Sequence, residues 1–309
     1  MAQYRFDTRC SPSTKKRLLS TPTSAFGPLG TKLRLWSSIA TFILLSAIVC
    51  VNASTQDKLA VINAKGEVWV RDLSSGGIGV GTKLTGPGLF GGPDDQFVVA
   101  FTNQIAVVTR SGAFWPRAVD DRTIGSSSRL SGSLFGGSDA KYVFGGDICG
   151  KTVYVVTIGG NVWTHPIAGP AIGPGRKLSG PTLFGGPNDR YVVHDGNRRI
   201  LVINTQGEVW AHDLSTSTPP PPNTFCTEFD TIGGGYRLTG PNLFGAPNDA
   251  YVVSLSGRLL VVNSLGEVWA RDISGSSVGP GVKLNGPGLF GTPNDAKYVV
   301  GYRYNPPPR

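Results

Sequence analysis

Methionine is nearly absent from this chain: Met1 is the only one among 309 residues. Histidine is almost as scarce, with His165, His194 and His212 the full set, and no two stand at a metal-ligand spacing such as His-x-x-x-His. Gly-x-Ser-x-Gly occurs once, at Gly275–Gly279, and Gly-x-x-x-x-Gly-Lys-Thr once, at Gly145–Thr152, but each falls in a Gly-rich turn between short strands, whereas a nucleophile elbow or a phosphate-cradling loop needs a turn from a strand into a helix. The sequence therefore gives a hydrolase nucleophile, a bound zinc or a nucleotide no supporting context, and neither a cofactor nor catalysis is expected. Acidic residues are thin at the N-terminus, where residues 1–54 carry seven Lys/Arg against Asp7. That segment holds +6 of the formal charge of +9, which leaves +3 for the rest. A mildly basic remainder gives little support to nucleic-acid binding.

Cysteine is sparse too. Cys10 and Cys50 belong to the N-terminal segment, and Cys149 and Cys226 are the only two beyond it. Residues 1–34 are polar, Ser/Thr-rich and basic, and residues 35–51 are apolar, with Lys32 and Arg34 as the positive flank. Val51-Asn52-Ala53 resembles a small-residue cleavage site. The segment reads as an export signal, with an uncleaved signal anchor or an organellar presequence as alternatives. An export signal or an anchor leaves the remainder on the non-cytoplasmic side, secreted or membrane-tethered, where Cys149 and Cys226 meet oxidising conditions.

What the chain has in abundance is glycine, 43 residues, and proline, 23. Five glycines begin a tetrapeptide Gly-x-(Val/Phe)-Trp that ends at Trp69, Trp115, Trp163, Trp210 and Trp269. The Gly-to-Gly steps, by subtraction, are 46, 48, 47 and 59 residues. A second phrase, Leu-Phe-Gly, follows at Leu89, Leu134, Leu183, Leu243 and Leu289, and each copy leads through an acidic turn into a short apolar strand such as Tyr251-Val252-Val253. Alternating phrases with a period near 47 residues point to a tandem array of four-stranded units.

One unit shows the strands. Tyr251–Ser254 is followed by a turn at Ser256-Gly257, then by the near-continuous apolar run Arg258–Asn263, as expected for a strand buried on both faces. Asn263-Ser264-Leu265-Gly266 suits a type I turn closed by a left-handed residue. Glu267–Ile273 is the third strand, and the outermost fourth lies around Val282-Lys283-Leu284. The array opens at Lys58 with a second strand and ends at Tyr298–Tyr302 with a first strand, so the two half-units complete one blade. The expectation is an all-β five-bladed β-propeller over residues 55–304, monomeric, with its ring closed by the C-terminal strand and a disordered tail at 305–309.

The fourth unit is longer than the others, with a surface loop between Leu214 and Ile232 that contains Pro219–Pro222 and Cys226. The strand order places this loop on the same face as Cys149, one blade away, which makes Cys149–Cys226 a candidate disulfide.

Two residues after each Trp stands a basic side chain: Arg71, Arg117, His165, His212 and Arg271. On a strand both project from one face. A Trp ring stacked on a sugar beside a guanidinium or imidazole is one reading, and Trp filling the gap between splayed blades is the other. The crossing phrase adds Asp95, Asp139, Asp189, Asp249 and Asp295, either as acceptors for ligand hydroxyls and amides or as turn residues that cap nearby N–H groups.

The five repeats, the aromatic after a Gly-led hairpin, the Leu-Phe crossing phrase and the strand-exchange closure resemble the tachylectin-2-like five-bladed propeller lectins over roughly Lys58 to Tyr304. That resemblance implies non-catalytic, multivalent binding of N-acetylated hexosamines in pockets between blades. A protein-interaction scaffold using one propeller face and the 214–232 loop is the alternative. A propeller glycoside hydrolase, which would need unmatched carboxylates at the central channel, is a third.

Overall fold

The computed structural model describes residues 55–90, 94–134, 139–146, 152–184, 189–196, 198–217, 229–244, 249–290 and 296–306. All of them belong to the unit Val51–Arg309. Among them every regular element is a strand, and no helix is long and apolar enough to cross a membrane. The expected signal or anchor, Cys149, Cys226 and Pro219–Pro222 lie outside the described residues.

Five antiparallel sheets form five blades. Blade 1 runs, from the inside outward, Tyr298–Tyr304, Gln56–Ile62, Val68–Leu73 and Thr82–Lys83. Blade 2 has Asp95–Phe101, Gln104–Thr109 and Phe114–Ala118, and blade 3 has Ala140–Gly146, Thr152–Thr157, Val162–Ala168 and Arg176–Lys177. Blade 4 has Asp189–His194, Arg199–Asn204, Val209–Ser215 and Tyr236–Arg237; blade 5 has Asp249–Leu255, Arg258–Asn263, Val268–Ser274 and Val282–Lys283. The five innermost strands contact one another in cyclic order, so the ring is closed. The closing strand sits where the half-units demand, with Leu59 opposite Gly301 and Val61 opposite Val299. The fourth strand is much shorter than a full blade edge. In blade 5 it is reduced to two residues pairing Trp269 with Lys283 and Ala270 with Val282, while Ser277–Val278 pairs with the far end of the same third strand.

The second strands are apolar through their middles because each is covered there on both faces. Along Gln56–Ile62, Leu59 and Val61 pack with Val253, Leu260 and Val262 of blade 5, and Ala60 and Ile62 pack with Val98, Ile105 and Val107 of blade 2. Strand alternation thus divides one run between two inter-blade cores, and the same division recurs around the ring.

The Gly-led turns hold the crossing phrase. Gly266 N–H donates to the Asn263 carbonyl at 2.9 Å, and the Asn263 side-chain Oδ1 accepts from Leu265 N and Glu267 N. The Gly266 carbonyl then accepts from Leu289 N at 2.8 Å, and equivalent bonds join Leu89, Leu134, Leu183 and Leu243 to Gly66, Gly112, Gly160 and Gly207. Gly266 has φ +76°, and a Cβ there would lie 2.7 Å from Leu289 N. Only glycine satisfies both demands.

A further tie escaped the sequence reading. The residue after the outer Leu forms a parallel bridge to the next blade at all five junctions: Thr85 with Thr123, Ser131 with Ala171, Ser179 with Thr231, Thr239 with Ser277, and Asn285 with Gly77. Its signal was the glycine that follows each, as in Leu238-Thr239-Gly240, where φ is +126° and a Cβ would stand 2.1 Å from the Val278 carbonyl oxygen. Asn305, expected in a frayed tail, is held instead by Asn103: its N–H donates to Asn103 Oδ1 at 2.7 Å, and its carbonyl accepts from Asn103 Nδ2 at 2.9 Å.

Candidate functional site

The three candidate residue classes meet at the blade junctions, on the end of the propeller that carries the Gly-led turns. Each junction joins the outer strand and crossing phrase of one blade to the second and third strands of the next. Between blades 3 and 4 this geometry opens a cavity of about 410 Å³, lined by Pro181, Thr182 and Leu183 on one side and by Asp189, Val202, Asn204, Glu208, Trp210, His212 and Gly235 on the other.

The tryptophans are not the buried fillers that inter-blade packing would require. Trp69, Trp163, Trp210 and Trp269 are 39%, 36%, 37% and 38% exposed, and Trp115 is half-buried. The gap is filled instead by Leu89, Leu134, Leu183, Leu243 and Leu289, all nearly inaccessible. Each indole is paired across the hairpin with a buried Val, as Trp210 is with Val202, and keeps part of its ring in solvent. An amphipathic ring left half-open in this way offers a stacking surface.

The basic residues are the more deeply placed partners. His165 and His212 are 5% exposed and Arg117 is 9% exposed, while Arg71 and Arg271 are partly buried. Every one contacts a backbone carbonyl in the loop leaving its own third strand: Arg71 to Gly79, Arg117 to Gly125, His165 to Gly173, His212 to Gly233 and Arg271 to Gly279, at 3.1–3.3 Å. Arg71 also donates to the Leu289 carbonyl and Arg271 to the Leu243 carbonyl, which ties each to the preceding blade. Because a carbonyl only accepts, Nδ1 of both histidines carries the proton. Burial lowers both imidazoles below their ordinary pKa and leaves them neutral at pH 7. Burial likewise lowers the Arg71, Arg117 and Arg271 guanidinium groups, with Asp95 and Asp249 opposing the shift at Arg117 and Arg271.

The carboxylates divide. Asp95, Asp189 and Asp249 open the first strands of their blades, each at a bulge two residues before Phe97, Tyr191 or Tyr251. In blade 3 the residue at that bulge is Ala140, and Asp139 lies one position earlier, exposed, with its carbonyl accepting from Ile158 N as Asp94 accepts from Arg110 N. In blade 1 the residue two positions before Tyr298 is Ala296; Asp295 itself is outside the described residues. Asp189 Oδ2 is buried without a hydrogen-bond partner, on the wall of the blade 3–4 cavity. Asn204 and Glu208 on the rim are satisfied: Asn204 Nδ2 donates to Glu208 Oε2 at 2.7 Å, and Glu208 Oε1 pairs with Arg237 at 3.1 Å.

At the other end of the ring, the innermost strands surround a small cavity of about 120 Å³. Its one carboxylate among the described residues is Asp195, which is committed to Arg199 at 2.6 Å. His194 Nδ1 accepts from Gly196 N at 3.1 Å, and the Ser254 hydroxyl has no hydrogen-bond partner, so the two do not form a hydrogen-bonded nucleophile–base pair. No cluster of three or more His, Cys, Asp or Glu suited to a metal occurs among the described residues.

No protein-family model matches the chain, and no curated protein matches it. Among solved structures, Prp20p from Saccharomyces cerevisiae aligns over 75% of this chain and 62% of its own, at 11% identity and a TM-score of 0.34. Citrobacter koseri AztD aligns over 80% and 62% at 10% identity, and human WBSCR16 over 72% and 65% at 13%, both also at 0.34. This chain thus spans less than two-thirds of each, and a likeness at that score supports neither a family nor a ligand.

Proposed function

We propose that this protein is a non-catalytic, carbohydrate-binding propeller whose sites are the blade junctions, as the resemblance to tachylectin-2-like lectins implies. The observation that carries this reading is the blade 3–4 cavity. A half-exposed indole, a buried unpaired carboxylate oxygen and a neutral imidazole converge there on a space large enough for a monosaccharide. A sugar supplies what each needs: an apolar ring face for Trp210, and hydroxyl or amide donors for Asp189. Repetition around the ring favours several sites of unequal affinity that act together on a glycan-bearing surface. The N-terminal segment suits delivery to the non-cytoplasmic side, secreted or tethered.

Isothermal titration of the protein with N-acetylhexosamines tests this reading. Binding at one or more sites per chain, weakened by Trp210→Ala, is the expected result. No heat with any glycan overturns it. Binding instead to a protein partner, abolished by deleting Pro219–Pro222, would place the function in the scaffold alternative, and sugar release lost on a single carboxylate change would establish a hydrolase.

A further inference from the structure

The five junctions share one architecture but not one charge balance. Between blades 1 and 2, Asp95 faces Arg117, and between blades 4 and 5, Asp249 faces Arg271; in both the guanidinium supplies the counter-charge for the carboxylate. Between blades 5 and 1 the cation Arg71 is present and the residue two positions before the first-strand tyrosine is Ala296. Between blades 2 and 3 both charges are gone, since His165 meets Ala140. Only between blades 3 and 4 does the carboxylate remain while the cation is replaced by an imidazole kept neutral through burial.

That replacement has two consequences. Arg271 reaches across its junction to the Leu243 carbonyl at 3.2 Å, whereas the shorter His212 lines a cavity of about 410 Å³. In addition, the half-buried Asp189 keeps a buried Oδ2 with no hydrogen-bond partner, and a carboxylate oxygen removed from water without a compensating donor costs free energy. An ammonium group at the place where three of the other junctions carry a guanidinium would relieve that cost. The electron-rich face of Trp210, on the wall of the same cavity, also favours a cation.

We propose that the cavity between blades 3 and 4 is a single site for a ligand bearing a cationic amino group, held at Asp189 beside Trp210, with an amino sugar as the chemical class. The polyhydroxyl part of that assignment rests on the carbohydrate reading; the ammonium part rests on the charge balance alone. His212 is the residue that sets the specificity, because it removes the built-in cation.

The test is isothermal titration of the full chain at pH 7 with D-glucosamine, N-acetyl-D-glucosamine, D-glucose and methylammonium chloride, repeated on Asp189→Asn and His212→Arg. Glucosamine is expected to bind at one site per chain, at least tenfold tighter than either neutral sugar. Asp189→Asn, close to isosteric, removes that preference, and His212→Arg abolishes binding by restoring the internal cation. If N-acetylglucosamine binds as tightly as glucosamine, the ammonium assignment is overturned and the carbohydrate reading stands. If methylammonium binds as well as glucosamine and neutral sugars give no heat, the ammonium assignment stands and the carbohydrate reading falls. A glucosamine preference that survives Asp189→Asn, or no glucosamine binding at all, sinks the proposal. Unchanged circular dichroism and melting of Asp189→Asn separate lost binding from lost folding.

Discussion

The Tyr251 hydroxyl donates to the Ala296 carbonyl at 2.8 Å, across the seam where the last blade meets the first. The same bond recurs around the ring, from Tyr142 to Arg190, from Tyr191 to Ala250 and from Tyr298 to Gln96. In each case the first-strand tyrosine also packs against the phenylalanine of the crossing phrase that leaves its own blade, as Tyr251 does with Phe290 at 6.0 Å between ring centroids. Blade 2 carries Phe97 at this position and has no hydroxyl to donate. Burial pushes the Tyr142 phenol up to about 12, so this donor stays protonated throughout the neutral range.

These latches make a stability prediction. Tyr251→Phe removes one hydrogen bond and leaves a carbonyl short of a partner, at a cost of about 1 kcal/mol in urea denaturation. Phe97→Tyr installs the missing latch between blades 2 and 3 and raises stability by up to about 1 kcal/mol. A Phe97→Tyr variant less stable than the parent would show that the blade 2–3 junction is built differently from its neighbours.

Closure of the ring predicts the effect of truncation. Deleting Tyr298–Arg309 exposes the whole edge of Gln56–Ile62 and strips the buried Tyr302 and Tyr304 from the blade 1–2 core. An exposed strand edge pairs with other chains. Size-exclusion chromatography and thermal unfolding should show self-association and loss of a single cooperative transition. A monodisperse variant melting at the parent midpoint would mean that the strand is not part of the closure.

Gly240 predicts a backbone effect at the inter-blade bridge. Gly240→Ala must place a Cβ 2.1 Å from the Val278 carbonyl at a φ of +126°, and is expected to cost about 2 kcal/mol or more. Gly234→Ala, where nothing lies within 4 Å, should stay within about 0.5 kcal/mol of the parent. Equal melting temperatures for the two variants would remove the steric argument.

The buried imidazoles predict a pH dependence. His165 and His212 have folded-state pKa values below the ordinary 6.5, first through burial, with carbonyl contacts opposing the shift at both and Asp189 and Asp213 opposing it at His212. Between those depressed values and 6.5 the unfolded chain binds protons that the folded chain does not, so stability is full above 6.5 and declines as pH falls through that window. Denaturation midpoints measured from pH 7 to pH 5 should fall, and the double variant His165→Gln, His212→Gln should flatten the curve. An unchanged slope in the double variant would assign the dependence elsewhere.

Much of this architecture was readable before any coordinates. The spacing from Gly66 to Gly266 marked the repeat, and the half-units beginning at Lys58 and Tyr298 marked the closure, because hydrophobic period and turn chemistry are local properties of a chain. The site was readable only in outline. Counting from Leu134 could not show that Ala140, not Asp139, takes the bulge equivalent to Asp95, since a bulge is set by pairing with the neighbouring strand. Spacing also could not show that the tryptophans, which share a strand face with the basic residues, are far more exposed than His165 or His212. The Tyr–carbonyl latches were invisible for a related reason: each joins residues 45–59 positions apart, or 202 where blade 1, built from both ends of the chain, meets blade 2.

By itself, then, the sequence determined an all-β chain of five like units whose ends complement each other, because turns, strand alternation and the shared blade are encoded within short stretches. Tertiary structure decided what each junction brings together. Asp189, His212 and Leu183 have no local relationship, and whether a carboxylate finds a guanidinium, an imidazole or an empty space depends on how one blade packs against the next.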